Sequence, residues 1–299
     1  MPFLTLFSAP KPFTDPHIAT IQRNAIRSWR CLGEQVEVLL IGEEPGMAAA
    51  AGEIGVRQLP EVRRNELGTP LVSSIFALAR QASDSPVLAY LNADMIVLPD
   101  FLEAARQAAA QTEHFFVVGQ RWDLDVRQEM DFSPGWDDRL LAELRARGRL
   151  HAPAGSDYFI YPREEFAGMP DFAIGRAGWD NWAIFHALHS GWAVIDATAA
   201  ITIVHQDHDY SHLPGGRPHY DLEESGRNQA LAGGMAHLYT VLDTDKELLG
   251  GVIRPHRPSL LRLVRRMEVR LMPEGERRGW RWALARRFRR LRRSLSGTL

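Results

Sequence analysis

Short apolar runs alternate with amphipathic stretches along the first 120 residues of this chain. Phe3-Leu4-Thr5-Leu6-Phe7 is rich in strand formers and closes at Ser8-Ala9-Pro10, which predicts a buried strand. From His17 to Leu32 the spacing becomes helical. Ile18, Ile21, Ala25, Ile26 and Trp29 share a stripe, and Gly33 is placed to cap the end. Val36 to Ile41 predicts a second strand, Ala48 to Glu53 a short helix, and Val56 to Leu59 a third strand. Thr69-Pro70 has the form of a helix start, a capping residue followed by a first-turn proline, with Leu71, Ile75, Leu78 and Ala82 behind it. Val87 to Leu91 and Phe115 to Gly119 read as strands, with the apolar stretch Met95 to Leu98 and a helix from Pro99 to about Ala110 between them. This alternation predicts an α/β fold with a mostly parallel sheet.

The second half is less regular. Helices are expected over Trp136 to Gly148 and from Gly178-Trp179-Asp180 to Gly191. Strands are expected at Tyr158 to Tyr161, Ala193 to Ile195 and Ala200 to Val204. His205 to Tyr220 has little periodicity but holds four histidines. Two amphipathic patterns close the chain, Ser259 to Met272 and Glu276 to about Leu295, separated by Pro273-Glu274-Gly275.

Composition adds three constraints. With 45% apolar and 24% charged residues, the 299-residue chain resembles ordinary globular proteins and can bury a core without staples. Cys31 is the lone cysteine, which excludes an internal disulfide. There is no run of eighteen apolar residues, and Met1-Pro2-Phe3-Leu4-Thr5 lacks the form of a signal peptide, so the expected location is cytoplasmic. The net charge of −2 conceals a polarity. From Gly251 to Leu299 there are fifteen arginines, no lysine and three glutamates, a local +12 that leaves −14 for the rest. An acidic body with a basic tail points to an anionic partner for the tail.

Four segments carry candidate chemistry. In Tyr90-Leu91-Asn92-Ala93-Asp94-Met95-Ile96 an apolar strand runs into a polar turn. Ligands of open α/β sheets bind beyond strand C-termini, and Asp94 there suits a divalent cation that also touches diphosphate oxygens. A turn-forming Asn and Asp is the plain alternative. Ile201 to Val204 delivers His205, with His208 and His212 following, a set suited to a transition metal, to zinc or to phosphate contact. Asp180 opens a predicted helix between Trp179 and Trp182. It is either an N-cap or a general base, with the indole faces available to sugar rings. Asp157, ahead of a strand, either binds sugar hydroxyls or ends a turn. Arg63, Arg64, Asn65 and Glu66 precede the helix start at Thr69, a place that favours anions.

The order of these pieces over about residues 3 to 212 resembles the GT-A glycosyltransferases, the nucleotide-diphospho-sugar transferase superfamily. That family carries an Asp-x-Asp motif after a central strand, which binds Mn2+ or Mg2+ with the nucleotide diphosphate. Here Asn92 stands at its first position and Asp94 at its last. A later histidine commonly completes the site, and His205 matches it. Inverting members place a carboxylate base at a helix start in an x-Glu-Asp motif. Asp180 matches its last position, with Trp179 replacing the Glu. The resemblance implies a catalytic domain over 1–250, nucleotide-binding to residue 120 and acceptor- and metal-binding beyond. It implies metal ligands Asp94 and His205, and a UDP- or GDP-type donor against Ala9, Pro10, Lys11, Glu43, Arg63, Asn65, Thr69, Asn92 and Asp94. It further implies an acceptor near Asp157, Trp179 and Trp182, and Asp180 as base in surface polysaccharide or glycolipid synthesis. Two other readings stand beside it, a zinc-stabilised sugar-binding module and a nucleotidyltransferase. The second would need a glycine-rich phosphate loop after the first strand, where Ser8-Ala9-Pro10-Lys11-Pro12-Phe13 has no glycine.

In the tail, residues 251–299, Trp280, Leu284, Phe288, Leu291 and Leu295 keep helical spacing among arginines, and Leu260, Leu263, Val264, Met267 and Leu271 repeat the design. Such helices suit the surface of an anionic membrane, or pack their stripe on the body. No nucleic-acid recognition motif accompanies them, so no nucleic-acid partner is expected. A glycan or lipid-linked acceptor fits a peripheral position on the inner face of the membrane.

Overall fold

The computed structural model describes residues 1–154, 156–208, 222–273 and 278–296. A nine-stranded mixed sheet runs through the molecule. Its strands are β1 (Leu4–Ser8), β2 (Val36–Ile41), β3 (Arg57–Leu59), β4 (Val87–Leu91), β6 (Phe115–Val118), β9 (Tyr158–Pro162), β10 (Ala193–Asp196), β12 (Lys246–Leu249) and β13 (Val252–Pro255). Their order across the sheet is β13-β12-β10-β6-β9-β4-β1-β2-β3. A second sheet, ordered β5-β11-β7-β8, holds β5 (Met95–Val97), β7 (Trp122–Leu124), β8 (Arg149–Leu150) and β11 (Ile203–Gln206).

The apolar runs are continuous because the large sheet is covered on both faces. Side chains alternate across a strand, so Leu4 and Leu6 of β1 join one core while Phe7 joins the other. The first core takes its helical residues from α1 (Pro16–Arg30), α2 (Met47–Ile54) and α4 (Asp100–Gln111). The second takes them from α3 (Val72–Ala82) and α6 (Trp179–His189). Asp15 caps α1, its carboxylate accepting from the Ile18 amide at 2.9 Å. Trp29, fully buried on α1, donates its indole N–H to the Met95 carbonyl at 2.8 Å and so braces the chain just past Asp94.

Three features of topology build the cleft. First, the chain runs from β1 outward through β2 and β3, then returns to lay β4 on the other side of β1, all in parallel. The crevice beyond β1 and β4 is thus a topological switch point, where open α/β sheets take ligands. Second, β9 lies antiparallel between β4 and β6. Its N-terminal end therefore meets the C-terminal end of β4, and the Asn92 amide donates to the Asp157 carbonyl at 2.9 Å. Third, β11 pairs antiparallel with β5, setting His205 opposite Met95, and parallel with β7, setting His205 opposite Asp123.

Several expectations change. Thr69 and Pro70 do not open α3, which starts at Val72 after the extended Leu71. Pro70 instead bridges to Arg64 and Leu71 to Ala173, which holds this stretch in extended form. Asp180 is not the N-cap of α6. Gly178, at φ 110°, takes that position, and Asp180 sits in the first turn. The strand expected at Ala200 to Val204 forms three residues later, because Ala200 and Ile201 fold back onto Ala197. The large sheet continues through β13 to Pro255, and β6, from before residue 120, lies between β10 and β9, both from after it. His212 and the residues around it lie outside the described residues.

Candidate active site

A cleft of about 830 Å³ opens at the switch point. The β1 loop supplies Ala9, Pro10 and Lys11, the end of β4 supplies Asn92, Ala93 and Asp94, and the reversed β9 supplies Ser156 and Asp157. The start of α6 supplies Trp179, Asp180 and Asn181. His205 and His208 close the wall beside Asp94, and Arg121 and His151 enter from the second sheet.

Asp94, His205 and His208 each bring one ligand atom to a place where all three lie within 4.8 Å of one another. The Asp94 carboxylate is 3.1 Å from Nε2 of His208 and 4.0 Å from the Lys11 ammonium. Burial works against its charge. The His208 hydrogen bond and the charges of His205 and Lys11 outweigh it, and they hold the carboxyl far below its ordinary range. Its Oδ1 is buried without a hydrogen-bond partner. Buried polar atoms are rarely left so, and a carboxylate oxygen beside imidazole nitrogens is a donor set that fits Mn2+ or a similar divalent ion. The residues present therefore fit the expected metal. Burial disfavours a charged His205 as well, but Asp123 at 3.4 Å, Asp207 at 3.7 Å and the Asp94 charge raise its pKa to about 9.

A second network orders the wall opposite. The Tyr90 hydroxyl donates to Oδ1 of Asn92 at 2.8 Å, and the Asn92 amide donates to Asp157 at 2.8 Å. Arg121 pairs with Asp157 at 2.5 Å and with Asp123 at 3.0 Å. Asp123 in turn holds Nδ1 of His151 at 2.8 Å. Asn92 thus serves the turn and orients Asp157, the neutral side chain that a first-position aspartate would replace. Asp180 is half-buried at the head of α6. Burial, with a further push from Asp157, raises its pKa to about 6 against its own backbone hydrogen bonds. A carboxylate so tuned is ionised at neutral pH yet basic enough to take a hydroxyl proton.

Not every expected residue reaches the cleft. Ala9, Pro10, Lys11, Thr69, Asn92, Asp94, Asp157, Trp179, Asp180 and His205 line it. Glu43 points to solvent, and Glu44 lines the wall instead, paired with Arg64 at 2.9 Å. Arg63 is drawn outward to Asp171 at 2.9 Å, and its neighbour Arg64 takes the inner position. Asn65 is spent on structure, accepting from the Leu67 and Thr69 amides and donating to Glu224. Trp182 packs against Phe172 and His186 in the core, one turn of helix away from a solvent-facing stacking role. Trp179 lines the cleft but is 5% exposed and meets Tyr90 and Phe159 edge-on, so most of its ring is core. Arg121, His151, Arg176 and Ser156 are the additions that the pattern along the chain did not single out. They sit on short strands and loops without periodicity.

No protein-family model matches this chain. No curated protein matches it in sequence. Among solved structures it is similar to glucosyl-3-phosphoglycerate synthase from Mycobacterium tuberculosis in complex with Mn2+, UDP and phosphoglyceric acid. The identity is 16%, over 87% of this chain and 88% of that one, with a TM-score of 0.48. It is also similar to a mannosyltransferase from Pyrobaculum calidifontis in complex with GDP-Man and Mn2+. There the identity is 14%, over 68% of this chain and 56% of that one, with a TM-score of 0.44. The chain spans a little over half the length of that mannosyltransferase. A likeness this distant assigns no activity.

Proposed function

We propose that this protein is a metal-dependent glycosyltransferase that moves a sugar from a nucleoside-diphosphate donor to an acceptor hydroxyl. The observation that carries the reading is the meeting of Asp94, His205 and His208 at the switch point, with the buried Oδ1 of Asp94 left without a hydrogen-bond partner. Asp94 and the two histidines would hold Mn2+ or Mg2+. When bound, the ion supplies positive charge against the diphosphate as the sugar–phosphate bond breaks. Lys11 adds a second cation on the same side of the cleft. Its own pKa is lowered by burial, only partly restored by Asp94, so it gains by meeting an anion. Asp180 takes the acceptor proton during attack on the anomeric carbon, which with a single displacement inverts that centre. Asp157, fixed by Asn92 and Arg121, hydrogen-bonds sugar hydroxyls. The cleft holds both substrates together, and that proximity contributes much of the acceleration. A UDP- or GDP-sugar donor and a glycan or lipid-linked acceptor fit this reading, within surface polysaccharide or glycolipid synthesis.

The test is a thermal-stability screen of nucleoside diphosphates and nucleotide sugars, with and without Mn2+. A donor at a hundred times its Kd stabilises the fold by about 2.7 kcal/mol, which moves the midpoint by a few degrees. Stabilisation by one nucleotide class that needs Mn2+ and reverses with chelator is expected. Indifference to every nucleotide, or stoichiometric zinc that survives chelation, overturns the proposal.

A further inference from the structure

The C-terminal helices are fastened to the body by buried charge, with Val264 the one buried residue of the apolar stripe on α8. α8 (Leu260–Leu271) docks through Arg262 on Asp196 at 2.8 Å and Arg265 on Asp243 at 2.8 Å. α9 (Gly279–Leu295) packs on α8, with Arg281 donating to the Arg270 carbonyl. Further along, Glu268, fully buried, accepts from Arg289 and Arg292 at 2.8 Å each. Removing either partner of so buried a contact costs far more than an exposed pair, so this clasp sets the rotation of α9.

That rotation leaves Trp280, Leu291 and Leu295 outward, while Leu284 and Phe288 are half-buried. The docking face of α9 is Ala285, Arg289 and Arg292. The stripe of Trp280, Leu284, Phe288, Leu291 and Leu295 lies beside it, with Trp280 72% exposed and Leu291 47%. α8 repeats the arrangement. Val264, Arg265 and Glu268 face inward, while Leu260 and Leu263 are 62% and 56% exposed. Exposed Arg266 and Arg270 flank the stripe on α8, and exposed Arg286, Arg287, Arg290 and Arg293 fill the outer side of α9. Among the described residues of the two helices the one carboxylate is Glu268, and it is buried. Among the described residues, the outer surface of the two helices therefore carries cationic and apolar groups and no exposed carboxylate.

We propose that the α8–α9 hairpin is a docking face for an anionic lipid bilayer, lying in the headgroup layer with its leucines and Trp280 in the acyl boundary. A bilayer supplies both needs at once, apolar depth for the stripe and anionic headgroups for the arginines. A nucleic acid would engage the arginines and leave the leucines in water. A second copy meeting this face with the same face would set arginine against arginine.

The experiment is co-sedimentation of the full chain with vesicles of phosphatidylcholine alone or mixed with phosphatidylglycerol. Binding to the mixed vesicles, weak binding to phosphatidylcholine and release at high salt are expected. Charge reversal at Arg287 and Arg290 should weaken binding at least about fivefold for each arginine. Leu291→Ala and Trp280→Ala, both at exposed positions, should weaken it without lowering the unfolding midpoint. Equal affinity for the two vesicle types overturns the proposal, as does undiminished binding by the Arg287/Arg290 variant. Absence of vesicle binding overturns it too, whether the chain then proves to bind RNA or to dimerise in light scattering. None of these readouts requires sugar transfer, so their failure is separable from failure of the transferase reading.

Discussion

Replacing Asp94 by asparagine will abolish cation-dependent binding of the nucleoside diphosphate and lower transfer by about 10³-fold or more. The substitution keeps shape and removes charge. It takes away the carboxylate oxygen that lacks a partner, and the charge that faces Lys11, His205 and His208. The Lys11 ammonium then faces the ion with no Asp94 charge between them, and the two imidazoles would have to hold it without that carboxylate. Calorimetry of UDP and GDP with Mn2+ checks the binding, and initial rates with the donor found by the stability screen check the turnover. The backbone should be indifferent, because Asp94 carries its fold-building contacts on its carbonyl, which accepts from the amide and the side chain of Gln206. Donor binding that persists in a folded Asp94→Asn variant would sink the metal site.

Asp180→Asn makes the second large change, and in two opposite directions. Turnover should fall by about 10²- to 10⁴-fold, the range for losing a positioned general base, while donor binding is unchanged. The wild-type rate should fall tenfold per pH unit below about 6, where Asp180 becomes protonated, and the residual rate of the variant should lack that limb. Stability moves the other way. A carboxyl raised in the folded state disfavours folding only where it must ionise. Its penalty is absent below about 4, the unfolded value, and complete above about 6. The asparagine variant should therefore melt higher than the wild type at pH 8, with the gap closing toward pH 4. A variant that loses both activity and stability at pH 8 would instead mark Asp180 as a structural residue of α6.

Much of this organisation is legible along the chain because the parallel core is repetitive. Each strand buried on both faces leaves an unbroken apolar run, as at Leu4–Ser8 or Val87–Leu91, and each covering helix leaves a stripe. The reversed strand β9 is not legible in direction, since Tyr158-Phe159-Ile160-Tyr161 reads the same either way. The three-residue strands β5 and β7 fall below any periodicity, although the Gly250-Gly251 pair between β12 and β13 is a plain hairpin signal. In the cleft, Asp94 and His205 are visible because each ends an apolar run at a polar turn. Arg63 and Glu43 are misplaced by one residue for a physical reason. Adjacent side chains in extended segments point opposite ways, so local sequence cannot choose between 63 and 64 or between 43 and 44. Trp182 shows the converse limit: aromatic rings beside a carboxylate look like a sugar platform whether they face the cleft or the core.

The pairing of β5 with β11 joins two stretches more than a hundred residues apart, and it is this ribbon that carries Asp94 and His205 to one another. Neither early stretch nor late one holds a cation alone. On the proposed reading, the seat exists only when the ribbon zips, and an ion occupying it would draw the ribbon closed. Ion affinity and the local opening free energy of this small sheet are thus one linked quantity, so a substitution that loosens Ile96 against Val204 weakens the ion without touching a ligand.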